Sequence, residues 1–90
     1  MERMIITVVG KDSVGIIAKV CTYLAEEGVN ILDISQTIVG GFFNMMMIVD
    51  MKGVAKKYAQ LATDLEGIGE SLGCQIKAQR EEIFNQMHRI

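Results

Sequence analysis

The stretch Gly10-Lys-Asp-Ser-Val-Gly-Ile16 holds the residue types best suited to meeting a small charged molecule. Two glycines bracket a charged pair and a hydroxyl, between the apolar run Met4–Val9 and a long helical stripe. Three uses fit such a break: a phosphate cradle, a capped turn, or a pocket whose amides face an anion. A phosphate-binding loop needs Gly-Lys-Ser/Thr after four spacers, whereas Gly15 is followed by Ile16 and Ile17. The glycine spacing of a dinucleotide site is absent as well. What remains is a helix start whose first-turn amides, at Val14, Gly15 and Ile16, suit a single carboxylate. Asp12 is placed to accept from an ammonium, and Gly15, without a Cβ, lets a ligand or a backbone come close. From the residues alone, an ordinary capped turn and a small zwitterion site both stand.

Asn30 also has two uses. Near a strand entrance an asparagine commonly satisfies local backbone. Its amide can also donate to a carboxylate and accept from an ammonium. Nothing points to catalysis: no Ser/His/Asp set, paired-acid site or metal-binding cluster stands out, and no cofactor is implied. The single histidine, His88, sits in the tail beside Arg89. Asp33 and Asp50 are lone acids in strands and read as surface charges. Cys21 and Cys74 stand far apart in apolar patterns and read as buried thiols.

The elements that position these residues follow from hydrophobic period. Arg3 to Val9 is rich in β-branched residues and reads as a buried strand. Residues 14–27 switch to helical spacing. Val14, Ile17, Ala18, Cys21, Leu24 and Ala25 share an arc of roughly 120°, and Ile16, Val20 and Tyr23 form a flanking line for a neighbouring helix. Asp12 or Ser13 caps this helix and Gly28 ends it. Val29 to Val39 is a strand whose apolar phase slips between Ile31 and Ile34, which predicts a bulge. Gly40-Gly41 predicts a tight hairpin, and Phe42 to Met51 is the return strand. Its Phe43, Met45, Met47, Val49 and Met51 face the core. The other face still carries Phe42, Met46 and Ile48, which implies that something covers it. Residues 54–72 form the second helix, weakened at Gly67 and Gly69 by about 1 kcal/mol each and closed by Gly73. Cys74, Ile76 and Ala78 belong to a half-exposed last strand.

The order β-α-β-β-α-β with right-handed crossovers gives an α+β, ferredoxin-like sandwich. Its four-stranded antiparallel sheet has the order 4-1-3-2, with both helices on one face. Residues 1–81 make the domain. Residues 82–90 are an amphipathic tail, with Ile83, Phe84, Met87 and Ile90 on one helical stripe, too short to hold alone in water. The second strand is a long edge with few charges and invites pairing with another copy, hence a homodimer. The chain has 90 residues, a net charge of −2, no proline and half its residues hydrophobic. That composition excludes disorder and matches a nucleic-acid backbone poorly. No apolar run approaches the ~18 residues of a membrane span. The expectation is a cytoplasmic protein without membrane or nucleic-acid partners.

GKDSVGIIAKV, followed by EEGVNILDISQTIV, resembles the ACT domain, a small regulatory module that binds amino acids. The resemblance runs from Met4 to Arg80 and is closest to small stand-alone bacterial ACT proteins. It implies a ligand near the turn after the first strand, at a dimer interface, touching the start of the second strand. Carried over by position, it nominates Asp12, Val14, Gly15, Ile16, Asn30 and Ile31. It implies a non-catalytic regulator that acts through a partner protein. The alternative is a structural or interaction module of the same fold that binds nothing small. Other users of this fold lack their marks here: there is no arginine-bearing acylphosphatase loop, no basic and aromatic RNA-stacking pattern, and no Cys-x-x-Cys turn.

Overall fold

A computed structural model describes residues 2–11 and 13–82, with Ser13 described by its backbone. Asp12 and residues 83–90 lie outside the described residues, as does the expected tail stripe from Ile83 onward. The elements are β1 (Arg3–Gly10), α1 (Ser13–Glu26), β2 (Asn30–Val39), β3 (Phe42–Asp50), α2 (Tyr58–Leu72) and β4 (Gln75–Arg80). The strands lie in the order β2-β3-β1-β4, all neighbours antiparallel. This is the ferredoxin-like sandwich that the hydrophobic periods predict.

β1 and β3 are central, and their inward side chains build the core. Met4, Ile6 and Val8 of β1 meet Met45, Met47 and Val49 of β3, joined by Leu61 and Leu65 of α2 and Ile76 of β4. The bulge falls where the phase slip predicts it. The β2–β3 register shifts between Ile31 and Asp33, so Leu32 is the extra residue. Gly40 and Gly41 both take positive φ, 58° and 83°, as a two-residue hairpin of matching twist requires. Gly28 ends α1 as expected: the Val29 amide donates to the Leu24 carbonyl at 2.9 Å, capping the last turn.

Three expectations are corrected. The buried line of α1 is Ile16, Val20 and Leu24, which are 3, 0 and 0% exposed. Val14 is 80% exposed, and Ala18 and Ala25 are exposed too. The inward face therefore sits about 100° round the helix from the expected arc, at 3.6 residues per turn. The expected arc held more apolar residues, but three were small. Burial gain follows area rather than count, so the sheet takes the larger side chains.

The second correction is the start of α2, which begins at Tyr58 rather than at residue 54. Lys57 caps it in an extended conformation with no side-chain cap bond. Residues 54–57 carry no Ser, Thr, Asp or Asn to start a helix earlier. The third concerns the thiols: Cys21 and Cys74 are free and half-buried, not fully buried. Burial still pushes the Cys74 thiol above its ordinary value.

Candidate functional site

The β1–α1 turn lies at the end of the sheet where Gly10 pairs with Phe43. In the turn, Val14 is exposed and Ile16 is buried in the core. Gly15 lacks positive φ, and a Cβ built there would meet nothing within 4 Å. Neither backbone conformation nor packing inside the chain calls for a glycine at this position. Gly10 contrasts with it: a Cβ there would strike the Cys74 Cβ at 2.7 Å and the Ile16 Cδ1 at 2.9 Å. That glycine is needed where β1, β4 and α1 converge.

Asn30 and Ile31 are not beside the turn within one chain. Asn30 pairs with Asp50, which also pairs with Arg3, so it sits at the opposite end of the sheet. Asn30 is exposed, and Ile31 packs half-buried on the core. Eight strand residues separate the two ends, about 25 Å at 3.3 Å per residue.

A cavity beside α1 is one that the hydrophobic pattern did not single out. A cleft of about 360 Å³ opens between α1 and the upper half of β2, lined by Ile17, Gln36, Thr37, Ile38 and Phe43. The β2–β3 register places Ile34, Gln36 and Ile38 on the same face as the core residues Met47, Met45 and Phe43. That face should be covered, yet Ile34 is 44% and Ile38 72% exposed. The apolar pattern of β2 predicted its bulge. It could not reveal that the helical layer stops short of the sheet's edge.

A second cluster joins the helices. Tyr23 Oη donates to Asp64 Oδ2, Lys56 Nζ reaches the same oxygen at 2.7 Å, and Gln60 donates to Asp64 Oδ1 at 2.9 Å. Lys56 also pairs with Glu27 at 3.3 Å and stands over the Tyr23 ring at 5.3 Å. The Lys56 hydrogen bond, followed by those of Tyr23 and Gln60, holds the Asp64 carboxyl down at about 2. Burial first, then the bond to Asp64, pushes the Tyr23 phenol up to about 12. The bond to Asp64 likewise raises Lys56. Every charge here has an opposite within reach. The cluster is a clamp between α1, the loop before α2, and α2. Its signal in the sequence was Tyr23 in the flanking line of α1, which was read as packing alone.

Among the described residues no group of three or more His, Cys, Asp or Glu could hold a metal ion. No described helix is long and apolar enough to cross a membrane.

Fold and site together describe a small ferredoxin-like module with an open cleft at one sheet edge. The sequence pattern of the ACT domain matches residues 2–79, and the chain belongs to that family. It is 58% identical to a UPF0237 protein of Bifidobacterium longum over 90 residues, covering all of both chains. Among solved structures, an ACT domain protein from Streptococcus pneumoniae is 41% identical with a TM-score of 0.81, covering 92% of this chain and 93% of that one. A proposed glycine cleavage system transcriptional repressor is 25% identical with a TM-score of 0.75, covering 88% of this chain and 45% of that one.

Proposed function

We propose that the protein is a non-catalytic regulatory module which binds an amino acid, or a similar small zwitterion, where two copies join along β2. The observation that carries this reading is the unclosed cleft at the β2 edge. Its volume is in the range of small-ligand sites. Its walls, Ile17, Ile38 and Phe43, suit an apolar side chain, while Gln36 offers a polar side chain and Thr37 only its backbone. β2 itself is a ten-residue edge strand, exposed along nearly its whole length, with Asp33 as its one charge. Such an edge pairs readily.

Antiparallel pairing of β2 with β2 of a second copy would also resolve the placement of Asn30. Full overlap would set Asn30 and Ile31 of the second copy opposite Val39 and Ile38, at the mouth of the cleft. The two halves of the nominated site, far apart in one chain, would then meet across the two-fold axis. Gly15 adds a second support. Its backbone is open to approach from outside the chain, and it lies in the helical turn at the same end of the sheet. Asp12 completes the nominated set as the acceptor for an ammonium.

Energies of the right size are available. A micromolar ligand needs about 8 kcal/mol, and each hydrogen bond to a charged group supplies about 1.5–3 kcal/mol. Two or three such bonds with a buried apolar side chain reach that total. The output runs through a partner protein. The ligand drives it only by preferring one shape of the dimer.

The test is thermal unfolding in the presence of each of the twenty amino acids, with the protomer concentration held fixed. A ligand at a hundred times its Kd adds about 2.7 kcal/mol, a rise on the order of 10 °C for a domain this small. Asn30→Ala should remove the rise while leaving the unliganded transition in place. No rise with any amino acid at millimolar concentration would leave the protein as an interaction module without a small ligand.

A further inference from the structure

The second edge of the sheet, β4, differs from β2 in what stands above it. Among the described residues β4 has a hydrogen-bonded neighbour on one side only, β1. Ile76 and Ala78 pair with the core residues Val8 and Ile6 and so face the helices, while Lys77 between them faces away. The close approach at Gly69, where a Cβ would lie 2.9 Å from the Cys74 carbonyl oxygen, sets α2 against the start of this strand. One face of α2 then borders β4, and two hollows lie between them.

The first hollow, about 420 Å³, has Glu66 and Glu70 on its helix wall and Ile76 on its strand wall. The second, about 400 Å³, is lined by the small side chains of Ala59, Ala62 and Ala78, with Tyr58 and Arg80 at its border. The Arg80 guanidinium is engaged: it stands over the Tyr58 ring at 5.7 Å and pairs with Glu82 at 3.3 Å. The two carboxylates are not. Glu66 and Glu70 are exposed, and among the described residues neither has an ion-pair partner. Ala62, Glu66 and Glu70 follow one another at four-residue steps, about 6 Å each along a helix. Alternate residues of a strand are about 6.6 Å apart. The three helix positions therefore keep step with alternate side chains of a strand laid beside β4.

We infer that β4 takes an extended segment of a partner protein as a fifth strand, running antiparallel to it under the flank of α2. Main-chain bonds to β4 hold such a segment, and its alternate side chains select it. Those side chains read bulky apolar, basic, basic. The first fills the hollow that the alanines leave, and the other two meet Glu66 and Glu70. A second copy of this chain does not offer that pattern from its edges. The helix-side residues of β2 beyond its bulge, Ile34, Gln36 and Ile38, include no cation. Those of β4 include one, Arg80, which is already paired. The inference gives a surface to the partner protein of the proposed function and rests on that reading only for the existence of a partner.

The probe is the capped peptide Thr-Leu-Thr-Lys-Thr-Lys-Thr, titrated into the full chain with no amino acid present. Binding is read by fluorescence anisotropy of a labelled copy and by amide hydrogen exchange. Saturable binding should slow exchange in Gln75–Arg80 and leave Asn30–Val39 unchanged. Glu66→Lys with Glu70→Lys should weaken binding about tenfold or more while circular dichroism stays native, since both positions are exposed. A peptide with glutamates in place of its lysines should recover binding to that variant. Ala59→Phe, which fills the hollow from an exposed position, should also weaken binding. Four results would overturn the inference: no saturable binding at about 1 mM peptide, binding that the charge reversal leaves unchanged, slowed exchange that falls on β2 instead, or β4 amides already slow in the free chain and faster on dilution. The last would show that a second copy holds this edge. Because no amino acid is present, this assay and the thermal test of the ligand cleft fail separately.

Discussion

Three glycines in helices, each changed to alanine, should give three different outcomes. Gly67 and Gly69 stand two residues apart in α2. At Gly67 a Cβ would meet nothing within 4 Å, and φ is not positive. Alanine there should recover the helix propensity that glycine lacks, about 1 kcal/mol, or about 4–8 °C in Tm. At Gly69 the same Cβ would lie 2.9 Å from the Cys74 carbonyl oxygen and 3.2 Å from the Ile76 amide nitrogen. Those are backbone atoms and cannot swing aside. Overpacking of this kind costs about 1–3 kcal/mol, so after the propensity gain Gly69→Ala should still lower Tm. Gly15 resembles Gly67 in its open surroundings, so Gly15→Ala should raise the stability of the unliganded protein by about 0.4–1 kcal/mol. It should also reduce any ligand-induced rise, where Gly67→Ala leaves that rise unchanged. Thermal unfolding by circular dichroism at one protomer concentration reads all three. The reasoning fails if Gly69→Ala is as stable as Gly67→Ala. The site assignment fails if Gly15→Ala keeps the full ligand effect.

The clamp predicts the pH limits of stability. Tyr23 in the folded protein titrates at about 12 against 10.0 when unperturbed, so its contribution is whole below pH 10 and is lost as pH rises toward 12. Lys56 shifts in the same direction, and Tyr23→Phe should flatten the alkaline fall in an unfolding-against-pH series. Asp64 is depressed to about 2 from 3.8; its contribution is present above pH 4 and lost as pH falls toward 2, a loss that Asp64→Asn should remove from the acid limb. The phase of α1 predicts a contrast in denaturant unfolding. Leu24→Ala should cost about 2–5 kcal/mol as a fully buried large-to-small change, whereas Ala25→Ser beside it should cost under about 1 kcal/mol. Ile38→Lys, at an exposed edge position, should leave protomer stability nearly unchanged and lower the solution mass measured by sedimentation; an unchanged mass above that of one chain would rule out pairing along β2.

The strands were legible from the β-branched run in β1, the apolar face of β3 and the two-residue alternation of β4. The phase slip in Ile31–Ile34 was enough to place the bulge, since a core face must be kept on both sides of it. The helix phase of α1 was misread because the tally of apolar residues counted the small side chains of Ala18, Cys21 and Ala25 equally with larger ones. Weighted by area, Ile16, Val20 and Leu24 would have given the inward face. The turn residues were legible as a helix start. The cleft was not, because it arises from where the helical layer ends, which no single element encodes. The clamp was hidden for a similar reason: Tyr23, Lys56 and Asp64 come from α1, the loop before α2 and α2, and in the sequence Tyr23 reads as helix packing with no sign of its charged partners.

One close contact explains why the helical layer ends where it does. Two helices about 10 Å across, set side by side, nearly span four strands about 4.8 Å apart. They could cover the sheet evenly if α2 lay centrally. Gly69 instead lets α2 settle against the start of β4, where Cys74 and Ile76 backbone atoms stand at the distance a side chain would need. The same tight turn is fixed at Gly73, where φ is 72°: its amide donates to the Glu70 carbonyl and the Cys74 amide to the Gly69 carbonyl, returning the chain directly into β4. The clamp then holds α1 to α2 through Tyr23, Lys56 and Asp64. The whole layer is thereby drawn toward β4, and the uncovered strip falls at β2. The exposure of Ile34 and Ile38 is thus a consequence of packing at the far edge rather than of any feature of β2. An edge left bare in this way, with an apolar cleft beside it, is the surface on which the proposed ligand and the proposed second copy would be buried by the same event.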